Sequence, residues 1–146
     1  MTAPLTFHHP TGRSIAILCI DDEPPTLAAR TGQLEAAGYR VFPALSADSA
    51  VHLFVTHQVD LILSTMVVLG PSAADLSIFM WHVRPEVSVV LLSRTAQLHP
   101  TLLKQVDACI GQDASENDLL SCLRQVLETQ FSRTHALART AMRGPQ

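Results

Sequence analysis

The chain has 146 residues, 47% of them hydrophobic and 16% charged, with a formal charge of −3 and a mean hydropathy of +0.23. A length of this order suits one domain with short tails, and the charge balance argues against a nucleic-acid sleeve. The apolar runs fall short of the roughly 20 residues that a membrane span needs, and no hydrophobic signal core opens the sequence, so a cytoplasmic protein is expected. Cys19, Cys109 and Cys122 form no CxxC pair, and each sits in an apolar run, which predicts buried free thiols in a reducing compartment.

Residues 1–13 carry two prolines, a glycine and the pair His8-His9, and read as a flexible leader with solvated histidines. Ser14–Ile20 is a nearly unbroken apolar run, too short for a helix and suited to a strand covered on both faces. It stops at Asp21-Asp22-Glu23-Pro24-Pro25, where proline in the first turn and acids at the positive end predict a helix start. Leu27, Ala28, Leu34 and Ala37 keep helical spacing, and Gly38 is the stop.

The alternation then repeats. Arg40–Phe42 is a short strand, and Ser46 caps a helix carrying Ala50, Val51, Phe54 and Val55. Val59–Thr65 is a second buried strand. Gly70-Pro71-Ser72 leads into a helix over 73–83, and Val87–Ser93 is a third apolar strand. A short helix around 98–105, a strand at Asp107–Gly111 and a final helix from about Asp118 complete the order. Strands joined by helices pair in parallel and need helices on both faces. The expected fold class is therefore α/β: a three-layer αβα sandwich around a five-stranded parallel sheet. Residues 14–129 form its body, and 130–146 a basic tail (Arg133, Arg139, Arg143) that extends the last helix until Gly144-Pro145.

Chemistry in such a sheet belongs beyond the carboxyl ends of the strands, at Asp21, Asp22, Thr65, Ser93 and Gly111-Gln112. Ile17-Leu-Cys-Ile-Asp-Asp-Glu-Pro24, together with Ala36–Val41, Val59–Leu63, Gly70 and Asp118–Leu120, resembles the receiver domain of response regulators in order and spacing. The resemblance implies a flavodoxin-like (βα)5 fold. It also implies an acidic pair that helps hold Mg²⁺, an aspartate closing the third strand that accepts a phosphoryl group, and a lysine after the fifth strand. A Ser or Thr closing the fourth strand and an aromatic on the fifth would relay the change.

This sequence departs from that pattern. Thr65, with Ser64 before it, stands at the acceptor position, Gln112 at the lysine and Cys109 at the aromatic; Asp21, Asp22 and Ser93 survive. A hydroxyl without an activating base is a poor nucleophile. The expected function is thus a degenerate receiver, not an enzyme and without a cofactor, that works through protein contacts in two-component signalling. Two alternatives stand beside it: a phospho-switch using Thr65 or Ser64, or another ligand, in the Asp21/Asp22/Ser93 crevice; and a small-molecule binder or enzyme on the same fold. Asp21 and Asp22 read either as a weak residual Mg²⁺ site or as acids that favour the first helix's N-terminus.

Ile78-Phe-Met-Trp81 cannot all face the sheet at about 100° per residue. Ile78, Phe79 and Trp81 are therefore the expected interface for a kinase, an output protein or a second copy, unless Phe131 and Leu137 fold over them. Nucleic acid is not an expected partner. His52, His57, His82, His99 and His135 are read as surface residues.

Overall fold

The computed structural model describes residues 7–65, 86–93 and 106–143, with Ser93 and residues 133–143 as backbone alone. The elements are β1 (Ala16–Ile20), α1 (Pro24–Ala36), β2 (Arg40–Ala44), α2 (Ala47–Thr56), β3 (Leu61–Thr65), β4 (Ser88–Ser93), β5 (Ala108–Gly111) and α3 (Glu116–Arg143). The five strands form one parallel sheet in the order β2-β1-β3-β4-β5. The helices expected over 73–83 and 98–105, and with them Ile78, Phe79 and Trp81, lie outside the described residues.

Strand character follows from burial on both faces. Ile17, Cys19, Leu61, Leu63 and Val90 point to one side, where Leu27 and Leu34 of α1 and Leu123 and Leu127 of α3 cover them. Leu18, Ile20, Ile62, Val89 and Leu91 point to the other, against Ala50 and Phe54 of α2. That is the three-layer arrangement that parallel pairing demands. Pro43 lies in β2, an edge strand, where a missing backbone donor is tolerated.

The helix boundaries have local causes. Ser46 caps α2 by accepting the Ser49 amide at 3.1 Å, and Ser115 does the same for Asp118 at the start of α3. Gly38, at φ 101°, closes α1, and the Tyr39 amide reaches back to the Leu34 carbonyl. α3 runs unbroken to Arg143, a 28-residue helix. Among the described residues, no helix is long and apolar enough to cross a membrane.

Three expectations are corrected. Part of the presumed flexible leader is docked: the Phe7 amide donates to the Tyr39 hydroxyl, the Phe7 ring stacks on Phe131 at 5.4 Å, and His9 meets Phe131 edge-on at 4.9 Å. Arg13 then grips Asp60 through both guanidinium ends at 2.8 and 2.9 Å, while Asp60 also accepts the Ala16 amide at 2.8 Å. Phe131 is thus engaged by the leader. The helix on that side continues packing past residue 129, because Gln130 is buried and accepts a hydrogen bond from the Ser88 hydroxyl. Second, His57 is half-buried, its ring 4.5 Å from that of Phe42.

The third correction concerns the thiols. Cys19 is buried, Cys122 half-buried, and Cys109 exposed. Cys109 lies on an edge strand whose neighbours Ala108 and Ile110 turn inward, so alternation turns it out. Desolvation pushes the Cys19 thiol up to about 12.

Two outcomes follow from this packing. In the native protein an alkylating reagent should modify Cys109 first and leave Cys19 untouched until denaturant is added, as read by peptide mass; early labelling of Cys19 would refute its placement. Asp60→Ala removes the acceptor for both Arg13 and the Ala16 amide, and should lower stability by about 2–3 kcal/mol in urea denaturation. A loss below about 0.5 kcal/mol would mean that the docked leader does not bear on folding.

Candidate functional site: the carboxyl edge between β1 and β3

The sheet's strand order turns at β1, which sends the chain to β2 on one side and has β3 on the other. Crevices in open parallel sheets form at such a point, beyond the strand carboxyl ends. Ile20 is in register with Ser64, so the next residues along, Asp21 and Thr65, emerge side by side. The Asp21 amide still donates to the Ala44 carbonyl at 3.1 Å, which extends the ladder by one residue and fixes where that carboxylate starts.

Thr65 ends β3 and is 2% exposed. Side chains on a strand alternate, so Thr65 shares its face with Leu63 and Leu61, the side covered by α1 and α3. Its hydroxyl is buried and finds no hydrogen-bond partner among the described residues. Ser64, on the α2 side, donates its hydroxyl to the Thr65 carbonyl at 3.1 Å. The two hydroxyls therefore face opposite layers, and Thr65 alone occupies the row of Asp21.

The two acids differ. Asp22 is exposed, whereas Asp21 is 3% exposed with donors on both oxygens. The Glu23 amide donates to Oδ1 at 2.9 Å and Arg30 Nη1 donates to Oδ2 at 3.0 Å. Glu23 is the N-cap position of α1, without a side-chain bond to the helix amides, and its carboxylate accepts the Thr26 hydroxyl at 3.1 Å. The favourable position of the acids at the helix start thus belongs to the backbone turn held by Asp21.

Sequence reading overlooked Arg30. Leu27, Arg30 and Leu34 are the buried residues of α1, so an arginine fills the middle of the helix's apolar stripe. It is 8% exposed and is the buried cation among the described residues. The signal was available: at helical spacing from Leu27 and Leu34, position 30 must face the sheet, and only a carboxylate in reach makes a cation tolerable there. The same cation touches the first strand's chemistry, since Arg30 opposes the rise of the Cys19 thiol that burial and Asp21 produce.

The remaining predicted positions are spread along the same edge. Ser93 is in register with Gly111 between β4 and β5. Gln112, half-buried after β5, donates its amide to the Leu92 carbonyl at 3.4 Å. Cys109 sits three residues before Gln112, exposed on β5. The structure therefore brings Asp21, Arg30 and Thr65 together, and leaves Asp22 outside in solvent. Two clefts, of 490 and 560 Å³, flank Arg13 and His57 at the opposite, amino edge; neither is lined by Asp21, Thr65 or Gln112.

No family model and no curated protein sequence matches the chain. Solved structures do. A CheY-like response regulator receiver domain protein from Methanospirillum hungatei JF-1 is similar with a TM-score of 0.76 at 23% identity, over 82% of this chain and 98% of that one. The signal receiver domain of an HD domain-containing protein from Pseudomonas fluorescens Pf-5 gives 0.73 at 24% identity, over 82% and 99%. NtrX from Brucella abortus gives 0.82 at 20% identity, over 91% of this chain and 30% of that longer protein. At these identities the likeness speaks for the fold: the chain has the flavodoxin-like α/β architecture of response-regulator receiver domains.

Proposed function

We propose that the chain is a receiver-type module of two-component signalling that works by protein–protein contact and does not transfer phosphate. The observation that carries this reading is Thr65 at the end of β3. Its buried hydroxyl stands beside Asp21, in the row where the receiver pattern has its reactive carboxylate. A carboxylate can attack a phosphoryl group as it stands, whereas a hydroxyl needs a base within hydrogen-bond reach. Asp21 is the carboxylate beside it in register, and its two oxygens already accept from Arg30 and the Glu23 amide.

The absent lysine points the same way. Gln112 brings a neutral amide where the pattern has a cation to offset developing phosphate charge. The partner is then recognised by surface shape and charge, and a kinase, an output protein or a second copy of the chain are the forms it takes.

Two measurements bear on this. Incubation with acetyl phosphate and Mg²⁺ should leave the intact mass unchanged, and beryllofluoride should leave the amide spectrum unshifted. A stoichiometric phosphoryl adduct that disappears in Thr65→Ala would replace this reading with that of an unconventional switch. Thr65→Val keeps the shape and removes a hydroxyl that has no partner among the described residues. It should raise stability by about 1 kcal/mol in thermal denaturation, because a buried hydroxyl without a partner costs about that much. A loss of similar size would mean that the hydroxyl has a structural partner after all.

A further inference from the structure

We infer that Arg30 stands in the electrostatic place of the divalent cation at this edge, so that the crevice is closed to metal by a residue of its own chain. The inference rests on the reading of Thr65 above and concerns the same site. A Mg²⁺ or Mn²⁺ site needs several oxygen ligands, with charged carboxylates among them. Here the buried carboxylate, Asp21, has one oxygen on a guanidinium at 3.0 Å and the other on a backbone amide at 2.9 Å. A cation arriving at Asp21 would have to displace an arginine that is itself 8% exposed and always charged.

The local charge count agrees. Asp21 and Arg30 cancel, Thr65 is neutral, and Asp22 and Glu23 are exposed to solvent. Among the described residues, no group of three or more His, Cys, Asp and Glu lies close enough to hold a metal ion. The acidic pair therefore does not fit a divalent ion, even though the sequence displays both carboxylates.

Arg30 is also not free to swing away. It is held in the α1 stripe between Leu27 and Leu34, both buried against the sheet. A long surface arginine would pair with a carboxylate only part of the time, but the side chain of this one is 10% exposed. The cation is thus a fixed part of the fold and arrives with it.

The test titrates Mn²⁺ into the full chain and follows the free ion by electron paramagnetic resonance. Wild type and Thr65→Asp should show no saturable binding at about 1 mM, the weak end of biological divalent sites. Thr65→Asp combined with Arg30→Met, which supplies the third carboxylate and removes the cation, should bind roughly tenfold or more tightly than Thr65→Asp alone. Saturable binding to wild type that is lost in Asp21→Asn would overturn the inference. So would equal binding by Thr65→Asp with and without Arg30. Wild type and Thr65→Asp keep Arg30, so their titrations decide the matter even where the double variant fails to fold. A phosphoryl adduct without Mn²⁺ binding would instead sink the non-phosphotransfer reading and leave Arg30 in its role.

Discussion

A parallel sheet buried on both faces leaves polar groups nowhere to go but its two edges, and the rest of this structure is arranged around that constraint. β1 and β3 are buried along their whole length, so every unpaired amide, hydroxyl or carboxylate must be settled at a strand's start or finish. At the amino edge the settlement is by carboxylates that reach to backbone donors. Asp60 takes the Ala16 amide, and Asp107 takes the Val89 amide at 2.7 Å. Each ties the first residues of one strand to the residue before its neighbour, and Arg13 offsets the charge on Asp60. At the carboxyl edge the same device appears once more, with Arg30 opposite Asp21.

The two arginine–carboxylate pairs look alike but carry different weights. The Arg13 side chain is 32% exposed, so solvent screens its pairing and much of its worth lies in pinning the leader. Arg30 and Asp21 are both buried, where the desolvation of two charges offsets most of their attraction. Such a pair adds little to net stability compared with two apolar side chains of the same volume, yet removing one partner leaves a buried charge exposed to the low-dielectric interior. An apolar residue at position 30 would leave Asp21 seeking another cation, from the chain or from solution.

Most of the architecture was legible because strands and helices follow different periods. The runs at Ile17–Ile20, Leu61–Leu63 and Val89–Leu92 have no alternation, which only double-sided burial explains, and Ser46, Ser115 and Gly38 mark helix ends by chemistry. The polar position at Thr65 was legible by counting from Asp60. What escaped has a common cause, namely long-range pairing. Nothing local marks Arg13 as the partner of Asp60, 47 residues away, or Phe7 as the partner of Phe131. Cys109 misled for the converse reason, since its apolar neighbours imply burial while its strand lies at the sheet's edge. Arg30 escaped because a cation in a helix is assigned to solvent by default, although its spacing from Leu27 and Leu34 places it inside.

The docked leader also constrains the last helix. Phe7 and His9 grip α3 at Phe131, just past the last helix residues buried against the sheet, and Arg13 anchors the same segment to the start of β3. The outgoing helix then continues from residue 132 to Arg143, about 18 Å of helix at 1.5 Å per residue. A partner shifts the balance between two arrangements of that helix only by its differential affinity for them. Reversing a hundredfold bias takes about 5.5 kcal/mol of such difference. That is more than a half-buried aromatic pair and a solvent-screened ion pair supply by themselves, so such a partner would need a wider contact surface. Phe7 of the half-buried Phe7–Phe131 stack and Arg13 of the partly exposed Arg13–Asp60 fork lie on one continuous segment. A partner competing for residues 7–13 would therefore act on the base of the sheet and on the exit of α3 together, at the edge opposite to the one where receivers are expected to react.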